Sequence, residues 1–247
     1  MNTHPPLLLA QDRGATRVLT LNRPEKRNAL NTALLEALHA ALRLACEDAA
    51  VRTIVLAGSG PCFSAGRDQK EAPTSDIRLD DGSLEQASGL FTAVLRCLID
   101  CPKPTIAAVH GYALAAGQAL TLACDFVVAE SNAQFGNPEM RLGFPAAMNA
   151  ALLARHLGRR RAREIAITGS RFSADTYYRF GLVNRLVEPG KVQNECLSWA
   201  HELSELAPWA VRQTFQLFDA VECSGMESSL RAGDALNQLL FAATQLK

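Results

Sequence analysis

The 247-residue sequence has no excess of charge of either sign: 25 Lys and Arg balance 25 Asp and Glu. That balance excludes the broad electrostatic pull behind non-specific binding to nucleic acid or to anionic membranes. No apolar run reaches membrane-spanning length, and residues 1–14 (MNTHPPLLLAQDRG) lack the cationic start and long apolar core of a secretory leader. The expectation is a soluble, cytoplasmic protein. No Cys-x-x-Cys pair occurs among the seven cysteines, whose odd number and scatter argue against a disulfide framework or a zinc site. Cys97 and Cys101, four apart, are read as reduced thiols, because no nearby histidine completes a metal site. Fixed-period repeats and low-complexity segments are absent as well.

What is present is enough apolar material for a large core, 48% of the residues. The β-branched, alternating residues 16–22 (TRVLTLN) predict a strand. Asn31 then caps a helix whose apolar face carries Leu34, Leu38, Leu42 and Ala45. Residues 51–58 (VRTIVLAG) predict a buried strand followed by the loop GSGPCFSAGRD. A polar segment at 70–88 leads into a helix over 84–99, a strand over 105–109, a helix over 115–123 and the strand DFVVA. Pro145 suits the first turn of a helix reaching His156, and Gly158 suits its end. From about residue 191 the pattern is helical only, broken at Pro208 and near Gly225, with Leu230, Leu236, Leu239 and Leu240 as an apolar stripe. The fold class is therefore α/β with a helical end, divided as 1–190 and 191–247.

Two loops, CFSAGRD and GYALAAG, share a design: each follows a strand, is built of small residues and leads toward a helix. Small side chains let a ligand approach the backbone, and a helix N-terminus offers unpaired N–H groups and a positive dipole end. Facing each other, the loops would form an oxyanion hole, a pair of donors for one developing negative oxygen. The alternative is close packing of helix on sheet, where Ala and Gly are equally welcome. An acid or base must come from elsewhere. Asp125 is placed at a helix end and Glu130 in an exposed turn. Glu139, after FGNP and before MRLGF, sits at a strand end among apolar residues, where burial would raise its pKa and suit it to proton transfer. The alternative for Glu139 is an ion pair with Arg141 or a surface loop charge.

The stretches LNRPEKRNALN (21–31), FSAGRD (63–68), KPTIAAVHGYALAAGQALTLACDFVVA (103–129), AQFGNPEMRLG (133–143) and TGSRFSADTYYRFGLVNRLV (168–187) resemble the crotonase, or enoyl-CoA hydratase/isomerase, superfamily in this order over nearly the whole chain. The resemblance implies a spiral of repeated ββα units with a C-terminal helical region, 191–247, that mediates a homotrimer or hexamer. It implies an acyl-CoA thioester substrate, with no further cofactor because coenzyme A is part of the substrate; no metal, nucleic-acid or membrane partner is expected, from the scatter of the cysteines, the charge balance and the short apolar runs. By motif position the backbone N–H groups of Arg67 and Ala116 would hold the thioester oxygen. Ala65, Arg67, Asp68 and Gln69 would line the path of the CoA moiety, and Arg23 and Lys26 would meet phosphate. The basic cluster RHLGRRRAR (155–163) is read as a solvated helix face, and His110 and His156 as structural.

One departure from the pattern matters. Hydratases of the superfamily read GGGxE, and this sequence has Ala119 at the glutamate position and Ala115 and Ala116 in place of two glycines. Only the second glutamate, Glu139, remains. Hydration of a 2-enoyl-CoA by Glu139, with Gln118 or a substrate carboxylate orienting the water, is the expected activity, because EMRLGFPAAM is more similar to hydratase branches with a small residue at the first position. Double-bond isomerisation with Glu139 as a single base is the alternative, followed by a non-catalytic acyl-CoA-binding homologue. Pocket shape depends on residues 70–88 and 144–148.

Overall fold

Thr16–Leu21 alternates between two apolar layers, and that alternation sets the architecture of residues 1–205. The computed structural model describes residues 5–68, 83–222, 227, 228, 230, 231 and 233–235. In chain order the elements are β1 (Leu8–Arg13), β2 (Thr16–Leu21), α1 (Thr32–Glu47), β3 (Thr53–Gly58), α2 (Ser83–Ile99), β4 (Thr105–Val109), β5 (Tyr112–Leu114), α3 (Ala116–Ala123), β6 (Phe126–Glu130), β7 (Gln134–Gly136), α4 (Ala147–His156), α5 (Arg159–Ile167), β8 (Arg171–Ser173), α6 (Ala174–Arg179), β9 (Arg185–Val187), α7 (Val192–Ser204) and α8 (Pro208–Glu222). The large sheet runs β1-β2-β3-β4-β6-β9, with β1 antiparallel and the remaining pairs parallel. A small sheet runs β5-β7-β8. A strand in the large sheet, a strand in the small one and a helix recur in β4-β5-α3 and again in β6-β7-α4, which is the expected ββα repeat.

Leu19, Leu21, Ile54, Leu56, Ala107, Val109, Val127 and Ala129 face one layer with α1, α2 and α3. Their alternates Val18, Val55, Ala57, Ile106, Ala108 and Val128 face the other, where Val192, Cys196 and Ala200 of α7 cover them. Strands buried on both faces are characteristic of parallel sheets. The sequence groups α7 with the C-terminal helices. The structure instead gives α7 to the sheet, and the compact units are 1–205 and 206–247, because the i, i+4, i+8 stripe of α7 is the cover for the second sheet face. In the second unit, Trp209, Phe218 and Leu230 are about half exposed or more. Leu236, Leu239, Leu240 and Gly225 lie outside the described residues.

Several boundaries move. The Asn31 cap is confirmed, its side chain accepting from Leu34 N–H. Helix α3 begins at Ala116, since Ala115 takes a positive φ. Helix α4 begins at Ala147, after Pro145, and Gly158 is the N-cap of α5 rather than the end of α4. GYALAAG opens as a strand, β5, before it turns. Among the described residues no helix is long and apolar enough to cross a membrane.

Candidate active site

Asn28 organises the first loop. It is fully buried and left-handed (φ 52°), a conformation asparagine tolerates better than most residues. Its Nδ2 donates to the carbonyls of Ser59 and Cys62, both at 2.8 Å, and its Oδ1 accepts from Arg23 N–H at 2.9 Å. Its own carbonyl accepts from Ser64 Oγ–H (2.8 Å), and Ser64 Oγ in turn accepts from Gly66 N–H (3.1 Å). Asn28→Ala is expected to cost about 3 kcal/mol, because it strands buried carbonyls, and to lower Tm by about 9 °C in a thermal melt.

These bonds press the first loop against the second. Ser64 accepts from Leu114 N–H and donates its N–H to Tyr112 O, while Arg67 bridges to Leu30. A Cβ on Gly66 (φ 100°) would stand 2.8 Å from Ala115 Cβ and 3.3 Å from Ala116 N, and one on Gly117 would stand 2.7 Å from Ser64 O. Both positions therefore need glycine. Ala116, the first residue of α3, carries one of the N–H groups that a helix leaves without an internal acceptor. Ala115 precedes it at φ 50°, ψ −120°, an unfavourable region for a residue with a Cβ. Ala115→Gly is expected to raise stability by about 1 kcal/mol, seen as a Tm gain of about 3 °C.

The second loop is tied to the segment that carries Glu139. Ala115 N–H donates to Gly136 O (2.9 Å) at the end of β7, and Glu139 follows in a 3-10 helix, Pro138–Leu142, rather than at the strand end itself. Glu139 is half-buried, and its Oε2 is shielded from solvent with no hydrogen-bond partner. Burial pushes its carboxyl above the usual value, against a smaller opposing effect from its own backbone N–H. The ion-pair alternative with Arg141 is not what is seen, since Arg141 lies along Gly169. The two small-residue loops are thus bonded to each other, and the second is bonded through Gly136 to the end of β7, three residues before a carboxyl whose Oε2 is buried without a partner.

Comparison with known proteins decides the family. The enoyl-CoA hydratase/isomerase family model matches residues 12–247. The chain is 35% identical to the 2,3-dehydroadipyl-CoA hydratase of Escherichia coli, over 92% of this chain and 87% of that protein. It is 34% identical to the short-chain-enoyl-CoA hydratase of Clostridium acetobutylicum, over 85% and 79% respectively. Among solved structures, the enoyl-CoA hydratase of Mycobacterium smegmatis superposes with a TM-score of 0.87 at 35% identity, covering 94% of this chain and 89% of that one.

The chain belongs to the enoyl-CoA hydratase/isomerase family. It is an enoyl-CoA hydratase-like enzyme of the crotonase superfamily, and an acyl-CoA is its substrate. Within that family its own residues sort differently from the sequence expectation. Arg23 is not set out for phosphate: its guanidinium is enclosed, with Nη1 and Nη2 each 3.0 Å from Asp68 Oδ2 and Nη1 on Ala29 O. Asp68 is correspondingly a strut of the first loop rather than a free lining group. Lys26 is exposed and Ala65 half-buried, with Ala65 N–H held by Arg27 O. Gln69 lies outside the described residues.

Gln118 is corrected most sharply. It is fully buried, both Nε2 protons are directed to Asn137 Oδ1 (3.2 Å) and Asn149 Oδ1 (3.1 Å), and Oε1 accepts from Tyr177 O–H (2.6 Å). It is scaffold, with no N–H left to orient a water. Ala119, where a first glutamate would stand, is fully buried in the apolar core. Glu130 is not exposed: it is buried and accepts from Gly190 N–H at 2.7 Å. Asp125 accepts from both Thr105 N–H and Oγ1–H. His110 and His156 meet the carbonyls of Gly60 and Leu122, consistent with structural roles. The arginines of α5 are exposed, with Arg161 stacked on Phe180 and facing Glu164. Cys101 pairs with Cys46, 3.2 Å between sulfurs, a neighbour that sequence spacing did not suggest. Asn28, Asn137 and Tyr177 lie in stretches that carry the family resemblance but were given no role there, and Asn149 lies outside them; Asn28 and Asn149 bond the loops, while Asn137 and Tyr177 bond Gln118.

Proposed function

We propose that the enzyme hydrates a 2-enoyl-CoA using one carboxylate. The thioester oxygen sits between the N–H groups of Arg67 and Ala116, which withdraw charge from the double bond and hold the enolate that forms. Glu139 takes a proton from water as the water oxygen bonds to C3, and the protonated Glu139 then gives that proton to C2 as the enolate returns to a thioester. The observation that carries this reading is the unpartnered Oε2 of Glu139, partly desolvated and three residues from the strand end that holds Ala115. A substrate carboxylate is left to orient the water, since Gln118 is engaged elsewhere. Coenzyme A arrives with the substrate and no separate cofactor takes part. A homotrimer or hexamer built on the helices beyond residue 205 is the proposed assembly, and the free thiols suit a cytoplasmic location.

Double-bond isomerisation is the second reading, favoured by the apolar Ala119 at the first-carboxylate position. The two separate optically. Hydration makes the conjugated enoyl-thioester absorbance of a 2-enoyl-CoA decay, whereas isomerisation makes it grow from a 3-enoyl-CoA. Binding of acyl-CoA with neither change would identify a non-catalytic homologue and overturn both.

A further inference from the structure

We infer that Asn149 is a positioning residue that locks the Ala115–Ala116 peptide with its N–H turned toward the thioester oxygen. The inference rests on the oxyanion-hole reading above. A peptide unit is planar, so whatever fixes the Ala115 carbonyl also fixes the Ala116 N–H on the opposite side. Asn149, in the first turn of α4 and 3% exposed, donates Nδ2–H to Ala115 O at 2.8 Å. The same carbonyl accepts the helical bond from Ala119 N–H at 3.1 Å.

The lock is needed because Ala115 is held at φ 50°, ψ −120°. Rotating ψ alone to about +47° would carry Ala115 into the ordinary left-handed well, at nearly unchanged φ. That rotation turns the 115–116 peptide over and points Ala116 N–H away from the first loop. The conformation seen is the less comfortable of the two for a residue with a Cβ, and two bonds to its carbonyl oppose the rotation, the helical one from Ala119 N–H and the shorter one from Asn149. With glycine at 115 the strain would vanish.

The orientation of every amide in the supporting network is determined. A carbonyl only accepts, so Asn149 must present nitrogen to Ala115 O and oxygen to Gln118. Asn137 presents nitrogen to Ile165 O (3.3 Å) and therefore oxygen to Gln118. Gln118 must then present nitrogen to both, leaving its oxygen for Tyr177 O–H. Asn137 is also the N-cap of the 3-10 helix that bears Glu139. One buried network thus ties the oxyanion peptide and the Glu139 turn to a common frame.

The test uses the full-length enzyme with a 2-enoyl-CoA labelled at the thioester carbonyl carbon. Its infrared carbonyl stretch is followed on binding, alongside kcat, KM and the melting curve, for wild type, Asn149→Ala and the nearly isosteric Asn149→Leu. The wild type is expected to shift the stretch to lower frequency. In whichever variants fold, kcat should fall by at least about tenfold with little change in KM, and the shift should shrink. A lowered Tm with wild-type kcat and wild-type shift in a folded variant would make Asn149 a packing residue and overturn the inference. Absence of any shift in the wild type would instead overturn the oxyanion-hole reading on which it rests.

Discussion

Glu139→Gln should reduce kcat by about 10²–10⁴-fold while leaving acyl-CoA binding nearly intact. The amide keeps the shape of the side chain but can neither take the proton from water nor return it to C2. The same substitution should raise Tm at neutral pH. Burial lifts the folded-state pKa of Glu139 above its usual value, so the folded protein binds more protons there than the unfolded chain does. The stabilising, protonated form is complete below about pH 4, and stability falls as pH rises through the window between the ordinary and the raised pKa. The activity profile runs the other way: kcat/KM should decline as pH falls through the raised pKa, with its acidic limb displaced upward from the ordinary carboxylate range. A Glu139→Gln variant with both wild-type turnover and wild-type pH profile would remove Glu139 from the chemistry.

Replacing the Ala116 amide by an ester, through incorporation of the corresponding α-hydroxy acid, should lower kcat by about 10²–10³-fold. The change deletes one N–H and no side-chain atom, and leaves a weaker acceptor at the Ala115 carbonyl that Asn149 and Ala119 bond. It should leave the fold largely undisturbed, because the N–H of a first helical residue has no intrahelical acceptor to lose. A loss confined to KM would assign Ala116 N–H to ground-state binding rather than to the developing enolate.

The two loops were legible because their small residues sit between an apolar strand and a helix, a pattern set locally. Asn31, Leu34, Leu38, Leu42 and Ala45 were legible for the same reason: cap and stripe are both encoded within one helix. Gln118 was not, since the direction of a polar side chain on α3 depends on Asn137, Asn149 and Tyr177, which arrive from three later elements. Arg23 and Asp68 are 45 residues apart, and only the folded chain reveals that the pair neutralises itself. Glu130 follows polar-turn logic locally yet is buried by the Gly190 N–H it accepts, 60 residues on. The strand β1 escaped because Leu8–Arg13 grades from half-buried to exposed instead of alternating. The missing first carboxylate, by contrast, was plain at Ala119, and the structure adds that its side chain belongs to the core.

The central claim is that one carboxylate suffices for hydration. Its most direct test is turnover of a 2-enoyl-CoA in oxygen-labelled water, with the product followed by mass spectrometry beside a 3-enoyl-CoA control. The expected result is a 3-hydroxyacyl-CoA carrying one labelled oxygen, formed by the wild type and lost in Glu139→Gln. A 2-enoyl-CoA left without label, together with a 3-enoyl-CoA converted to its 2-enoyl isomer at unchanged mass, would contradict it and make Glu139 the single base of an isomerase.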